Sequence, residues 1–252
     1  MKSPIKENNK FRSLRELKRM IPRGSIINSF LFFDGGLEFN LSASGRFIIA
    51  HTHKDVIYEF WQCALEDGPR VAGLAKSLCP IEDPNTFHIL QESWPTYDDP
   101  YARAALFFIL NRCSENGMIS AGRLAYKNFN PVALGHLRNF SPVNFYLNRD
   151  DQGDLIENLK AVDERDYVLV PVGAFNYNLF ERGKNRGYEM TTVHHQKLYE
   201  VMKERKKKWV LLYKPHSQLF KLYENYNIKM INKSGVITTD RDECEEVLIA
   251  NF

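Results

Sequence analysis

The sequence predicts a doubly wound α/β domain with a helical insertion between about residues 71 and 141, and three observations carry that prediction. Apolar runs recur along the chain and stop at turns containing glycine or proline, the pattern of buried parallel strands. Stretches of helical periodicity separate these runs, so strands and helices alternate, with right-handed crossovers between parallel strands. The chain has 252 residues, 44% hydrophobic and 26% charged, which suits one elaborated domain, or two small ones, better than a repeat array and excludes a disordered or fibrous protein.

Residues 1–10 read as a polar, flexible tail. Residues 13–21 place Leu and Ile at helical spacing, and Pro22-Arg23-Gly24 stops that helix. Residues 25–33 form a nearly continuous apolar run, predicted as a strand that ends in the tight turn Asp34-Gly35-Gly36. Residues 46–50 repeat the strand signal, and a helix follows over 54–65. Residues 71–78 and 84–91 are helical in character. Asp98-Asp99-Pro100 then opens a strong helix, with a carboxylate cap and a proline in its first turn, that runs to about Asn111.

Residues 113–131 are weakly periodic and read as a loop-rich stretch, the kind of segment on which a rigid scaffold carries a binding surface. Residues 166–170 are a further buried strand, ended by Pro171-Val172-Gly173. A helix over 192–205, a strand over 209–213 and a helix over 217–223 follow. Two short β runs, 228–231 and 247–250, are joined by a polar segment and predicted to pair antiparallel on the sheet edge. The domain plan is therefore a tail at 1–10, an α/β core at 11–70 and 142–252, and a helical insertion at 71–141.

Composition narrows the function classes. A formal charge of +3, from 34 Lys and Arg against 31 Asp and Glu, permits a polyanionic partner without requiring one. The 17 Phe and 12 Tyr serve core packing first and base stacking second. Cys63, Cys79, Cys113 and Cys244 are scattered and form no Cys-x-x-Cys pair, so they read as reduced thiols rather than a zinc site. No apolar run approaches a membrane span and no secretory leader is recognisable, which predicts a cytoplasmic protein. His51-Thr52-His53 and His194-His195 lack a carboxylate or thiol at ligand spacing, so no metal is expected. The cations from Lys203 to Lys208 sit at a predicted helix C-terminus, where the macrodipole favours each by about 0.3 to 1 kcal/mol. Glycines Gly35 and Gly36 allow either a tight turn or a close backbone approach to a nucleotide-like ligand. No nucleophile elbow, P-loop or kinase motif set is present.

Several segments together, in order, resemble the Dam-type DNA adenine-N6 methyltransferases over almost the whole chain. Asn9-Lys10 stands where that family has a Gly-Asn-Lys-like element before its first helix. Leu31-Phe32-Phe33-Asp34-Gly35-Gly36-Leu37 occupies its first motif. Leu110-Asn111-Arg112, followed by Asn116-Gly117, matches the DNA-contacting segment of its insertion. The C-terminal third is similar as well, through His195, Lys208 to Tyr213, Asn232-Lys233-Ser234-Gly235 and Glu246 to Phe252. The resemblance implies a Rossmann-like methyltransferase sheet with an antiparallel C-terminal edge. It also implies vestigial cofactor positions at Lys10, Phe33, Gly35, Gly36 and His51, and nucleic-acid contacts at Asn111, Arg112, Asn116, Lys127 and Arg138. For Asn111 and Asn116, capping and turning the chain is the competing reading.

The departures fall on the reacting groups. The family's two carboxylates that hold S-adenosylmethionine correspond to Leu31 and His51. Losing two such charged hydrogen bonds costs roughly 3 to 6 kcal/mol, or a hundredfold to ten-thousandfold in affinity. The catalytic Asp-Pro-Pro-Tyr corresponds to Pro171, Val172, Gly173 and Ala174, which supply no acceptor side chain and no stacking ring. The resemblance so read implies a non-catalytic homologue without a cofactor, serving DNA, a protein partner or a larger assembly such as a virus particle. The alternative is an active S-adenosylmethionine-dependent enzyme in which Asp34 or Glu38 replaces the first acid, Asn176 supplies the catalytic acceptor, and Phe175 or Tyr177 stacks on the base.

Overall fold

The computed structural model describes residues 2–6, 11–115, 117, 119, 122–126, 129–150, 154–162, 166–173 and 193–252. Among these, eight strands form one sheet in the order β3-β2-β1-β4-β5-β8-β6-β7. The five strands β1 (Ile26–Ser29), β2 (Phe47–Thr52), β3 (Phe145–Arg149), β4 (Tyr167–Gly173) and β5 (Trp209–Tyr213) run parallel. Strand β8 (Cys244–Ala250) pairs antiparallel with β5 on one side and with β6 (Asn227–Asn232) on the other. The two-residue β7 (Ile237–Thr238) hairpins onto β6 and forms the edge. This is a Rossmann-like α/β fold with an antiparallel C-terminal edge.

Alternation along the strands divides the core in two. Ile27, Ile48, Ala50, Leu169 and Leu212 point to one face, where α1 (Leu14–Met20), α2 (Gly36–Ser42), α3 (Asp55–Leu78), α5 (Pro100–Cys113) and α6 (Pro131–Arg138) cover them. Val168, Val170, Leu211 and Ile249 point to the other, against α7 (Leu155–Ala161), α8 (His195–Glu204) and α9 (Ser217–Leu222). The insertion shares the first cluster with the sheet, because Phe60 stacks on Phe107 at 4.6 Å and Glu59 of α3 takes a two-point ion pair from Arg103 of α5.

Several elements differ from expectation for identifiable reasons. The first strand stops at Ser29 rather than Phe33, because Leu31 takes a left-handed φ of 57° and turns the chain out of the sheet. The two predicted helices over 54–65 and 71–78 run on as α3, broken only at Asp67 (φ −148°, ψ 70°) before Gly68 and Pro69. A Cβ on Gly68 would lie 2.5 Å from the Leu137 carbonyl oxygen, so the break is where α6 crosses closely. Strand β4 continues through Pro171-Val172-Gly173, the residues expected to end it, and a register shift between Pro171 and Gly173 accommodates the proline. The C-terminal β pair is not all edge, since β8 lies inside the sheet. Helices α4 (Pro84–Ser93), α6, α7 and strand β3 complete the structure, the last three unmarked by any strong apolar run.

Residues 3–5, assigned to a flexible tail, are buried, with Ile5 in the main core. Helix α1 depends on the far end of the chain. The Ser13 backbone N–H donates to Glu246 of β8 at 2.6 Å, and Lys229 of β6 pairs with Glu16 at 2.6 Å. Arg46, itself buried, donates to the Lys18 and Ile21 carbonyls that the C-terminus of α1 leaves open.

Candidate functional site

In a doubly wound sheet the ligand crevice lies beyond the C-terminal ends of the strands, where the strand order reverses. Here that point is between β1 and β4, and the loop after β1, residues 30–36, borders it. The loop is fixed at nearly every residue. Phe30 N–H donates to the Leu169 carbonyl at 2.9 Å and Phe32 N–H to that of His51 at 3.1 Å. The Trp61 indole donates to the Phe33 carbonyl at 2.7 Å, Ser3 Oγ donates to the Asp34 carbonyl, and Gly36 N–H donates to Asp34 Oδ1 at 2.9 Å. Gly35 sits at φ 70°, and a Cβ there would lie 2.0 Å from the Phe39 ring. The glycine is required by a close approach, and what approaches is the protein's own aromatic core.

His51, at the end of β2, is the centre of a buried polar network. Its Nε2 meets Asn28 Oδ1 of β1 at 2.9 Å, and its Nδ1 meets Asp150 Oδ1 beyond β3 at 2.9 Å. The Asn28 amide donates onward to Asp166 at 3.1 Å, and Asn148 donates to Asp150 at 2.8 Å. The Phe30 ring lies parallel to the imidazole at 4.3 Å. Both ring nitrogens and one ring face are thus used within the protein, and His51 is 7% exposed.

The two nearby acids also turn inward. Glu38 accepts from Ser29 Oγ at 2.7 Å; burial, opposed by that bond and reinforced by Asp34, pushes its carboxyl up to about 7. Asp34 caps the glycine turn through Gly36 N–H. Phe33 is buried in the main core.

At the end of β4, Pro171 and Val172 are buried strand residues, and the Gly173 carbonyl accepts from Lys214 N–H at 2.7 Å. Ala174, Phe175, Asn176 and Tyr177 lie outside the described residues, as do Lys10, Asn116 and Lys127.

The remaining nucleic-acid candidates separate in space and exposure. Asn111 is fully buried; its Oδ1 accepts from Lys6 N–H at 2.7 Å and its amide donates to the Gly117 carbonyl at 2.9 Å. Arg112 donates from Nε to the Pro4 carbonyl at 2.7 Å. Both act on residues 4–6. Arg138 closes α6 and is exposed. Among the described residues, no three His, Cys, Asp or Glu side chains converge to hold a metal ion, and no helix is long and apolar enough to cross a membrane.

Sequence reasoning missed Asn28, Ser29, Asp150 and residues 3–6. The available signal was Asn28-Ser29, a polar pair inside an otherwise apolar strand, since buried polar side chains must find partners. Compared with protein-family models the chain matches none, and no curated protein matches it.

Proposed function

We propose that this chain is a non-catalytic homologue of the Dam-type DNA adenine-N6 methyltransferases, keeping the scaffold for an accessory or structural role that engages DNA or a protein partner. The observation that carries the reading is His51. At the position where the resemblance calls for a carboxylate facing ribose hydroxyls, an imidazole is stacked under Phe30 and bonded to Asn28 and Asp150. The described residues at the ends of β1 and β2 do not fit S-adenosylmethionine. Leu31 is apolar and buried in the second core cluster, and the substitute acids Asp34 and Glu38 are spent on Gly36 and Ser29. The parallel order around β1 and β4 and the antiparallel C-terminal strands support the scaffold half of the proposal.

Calorimetric titration of the full chain with S-adenosylmethionine tests the cofactor half. The expected result is no heat at millimolar ligand and no transfer of radiolabelled methyl to adenine in duplex DNA. Micromolar binding or label in the DNA would restore the active-enzyme reading. A gel shift on duplex and single-stranded DNA across a salt series tests the partner: phosphate-driven binding weakens steeply with salt and on replacing Arg138.

A further inference from the structure

The helical insertion holds a cavity of about 490 Å³, separate from the switch-point residues, between the second half of α3, the connector to α4, α4 itself and α5. Its volume lies in the range of small-molecule sites. Its walls are apolar: Leu74 and Leu78 from α3, Ile81 from the connector, Leu90 from α4 and Leu106 from α5.

The charged groups at this cavity share one sign. Its charged lining residues are Glu82 and Asp83, both acids. Two of the three lining hydroxyls have given their protons away, Ser77 Oγ to the Leu74 carbonyl at 2.8 Å and Thr86 Oγ1 to Asp83 Oδ2 at 2.8 Å; the third belongs to Tyr97. Ser77 and Thr86 therefore have lone pairs, and no free proton, to offer a ligand. Asp83 is held rigid as the N-cap of α4 by the N–H groups of Asn85 and Thr86, and those bonds keep its carboxyl below the usual carboxylate range. Glu82 makes no ion pair among the described residues. Tyr97 adds a half-exposed aromatic ring, a surface that attracts cations. Negative charge, engaged hydroxyls and an aromatic face beside apolar walls select a positively charged, hydrogen-bond-donating head on an apolar body.

We propose that this cavity binds a small organic amine in its ammonium form, the apolar portion lying among Leu74, Leu78, Ile81, Leu90 and Leu106 and the head between Glu82, Asp83 and Tyr97. The site owes nothing to the methyltransferase reading and stands if that reading fails.

Titration of the full chain with 4-phenylbutylamine, 4-phenylbutan-1-ol and 4-phenylbutyrate, followed by ligand-observed NMR, tests the proposal. The amine is expected to bind about tenfold or more tightly than the carboxylate, the alcohol falling between them, since one charge-assisted bond is worth at least that factor. A Glu82→Gln, Asp83→Asn double variant, which keeps a capping side chain at residue 83, should lose that preference while still binding the alcohol. Ala102→Phe, which fills the cavity from α5, should abolish binding of all three, with circular dichroism reporting that both variants fold. Equal binding of amine and carboxylate overturns the proposal. So does silence from the amine at millimolar concentration, or amine binding that survives Ala102→Phe.

Discussion

Arg112, near the end of α5, holds the carbonyl of Pro4 across 108 residues of chain, with its Nε 2.7 Å from the oxygen. One residue earlier, Asn111 receives the Lys6 N–H, and Ser3 reaches the Asp34 carbonyl beside the glycine turn. Two side chains that the resemblance assigns to DNA contact thus strap residues 3–6 across the insertion and the switch-point loop.

The strap makes a prediction that separates structure from recognition. Arg112→Ala should lower stability by about 1 to 3 kcal/mol, the usual cost of leaving a buried acceptor such as the Pro4 carbonyl unsatisfied. Ile5→Ala should cost a further 2 to 5 kcal/mol or so by emptying a core position. Urea unfolding midpoints measure both. An Arg112→Ala variant of unchanged stability would contradict the strap and favour the proposed nucleic-acid contact at this residue.

Gly35→Ala places a methyl group 2.0 Å from the Phe39 ring at a left-handed backbone position. The conformation alone costs about 1 to 2 kcal/mol, and the overlap adds to it. In a Phe39→Ala background only the backbone part should remain. A double-mutant cycle on thermal unfolding therefore yields a coupling of at least about 1 kcal/mol, and additive effects contradict the packing account.

Glu38 gives the protein a pH dependence of known sign. Its ordinary value is 4.5, and burial raises it to about 7 in the folded state. Below pH 4.5 the carboxyl is neutral folded or unfolded, and it costs nothing. As pH rises from there towards 7 the unfolded chain ionises first, so stability falls, and the full penalty of roughly 3 kcal/mol applies above the folded value. Glu38→Gln, which still accepts from Ser29, should be more stable than wild type above pH 7 and indistinguishable below pH 4.5. Chemical denaturation at pH 4 and pH 8 reads the difference.

His51→Ala should leave Asn28 and Asp150 buried with lost partners and expose one face of Phe30 to a void. About 2 to 4 kcal/mol of destabilisation is expected, measurable by urea titration. A His51→Glu variant asks the complementary question: gain of S-adenosylmethionine binding would support the proposed methyltransferase ancestry.

The main strands were legible because their apolar runs are dense. Val168 to Val172 and Trp209 to Tyr213 are buried on both faces, and composition alone marks such strands. Strand β3 was not legible, because it is a half-exposed edge strand in which Tyr146 is 57% exposed and Asn148 serves the polar network. Helix α6 was hidden by a glycine and a short length, although Asn130 caps it and proline opens it. The site divides similarly. Gly35 and His51 were visible as residues of interest, but their partners Phe39, Asn28 and Asp150 became relevant only through contacts that sequence order does not announce. The fate of Asn111 turned on residues 4–6, which resemble any polar leader until Ile5 is seen in the core.

The ties from α1 to Glu246 and Lys229 have a consequence for biogenesis. A ribosome delivers the segment that becomes α1 long before it delivers the strands that neutralise Glu16 and accept the Ser13 amide. Sheet closure also waits, since β8 must slide between β5 and β6 after both have emerged. Vectorial synthesis therefore lets α1 dock on Arg46 and α2 early, while the Ser13 amide and Glu16 wait for β6 and β8 before they gain these partners.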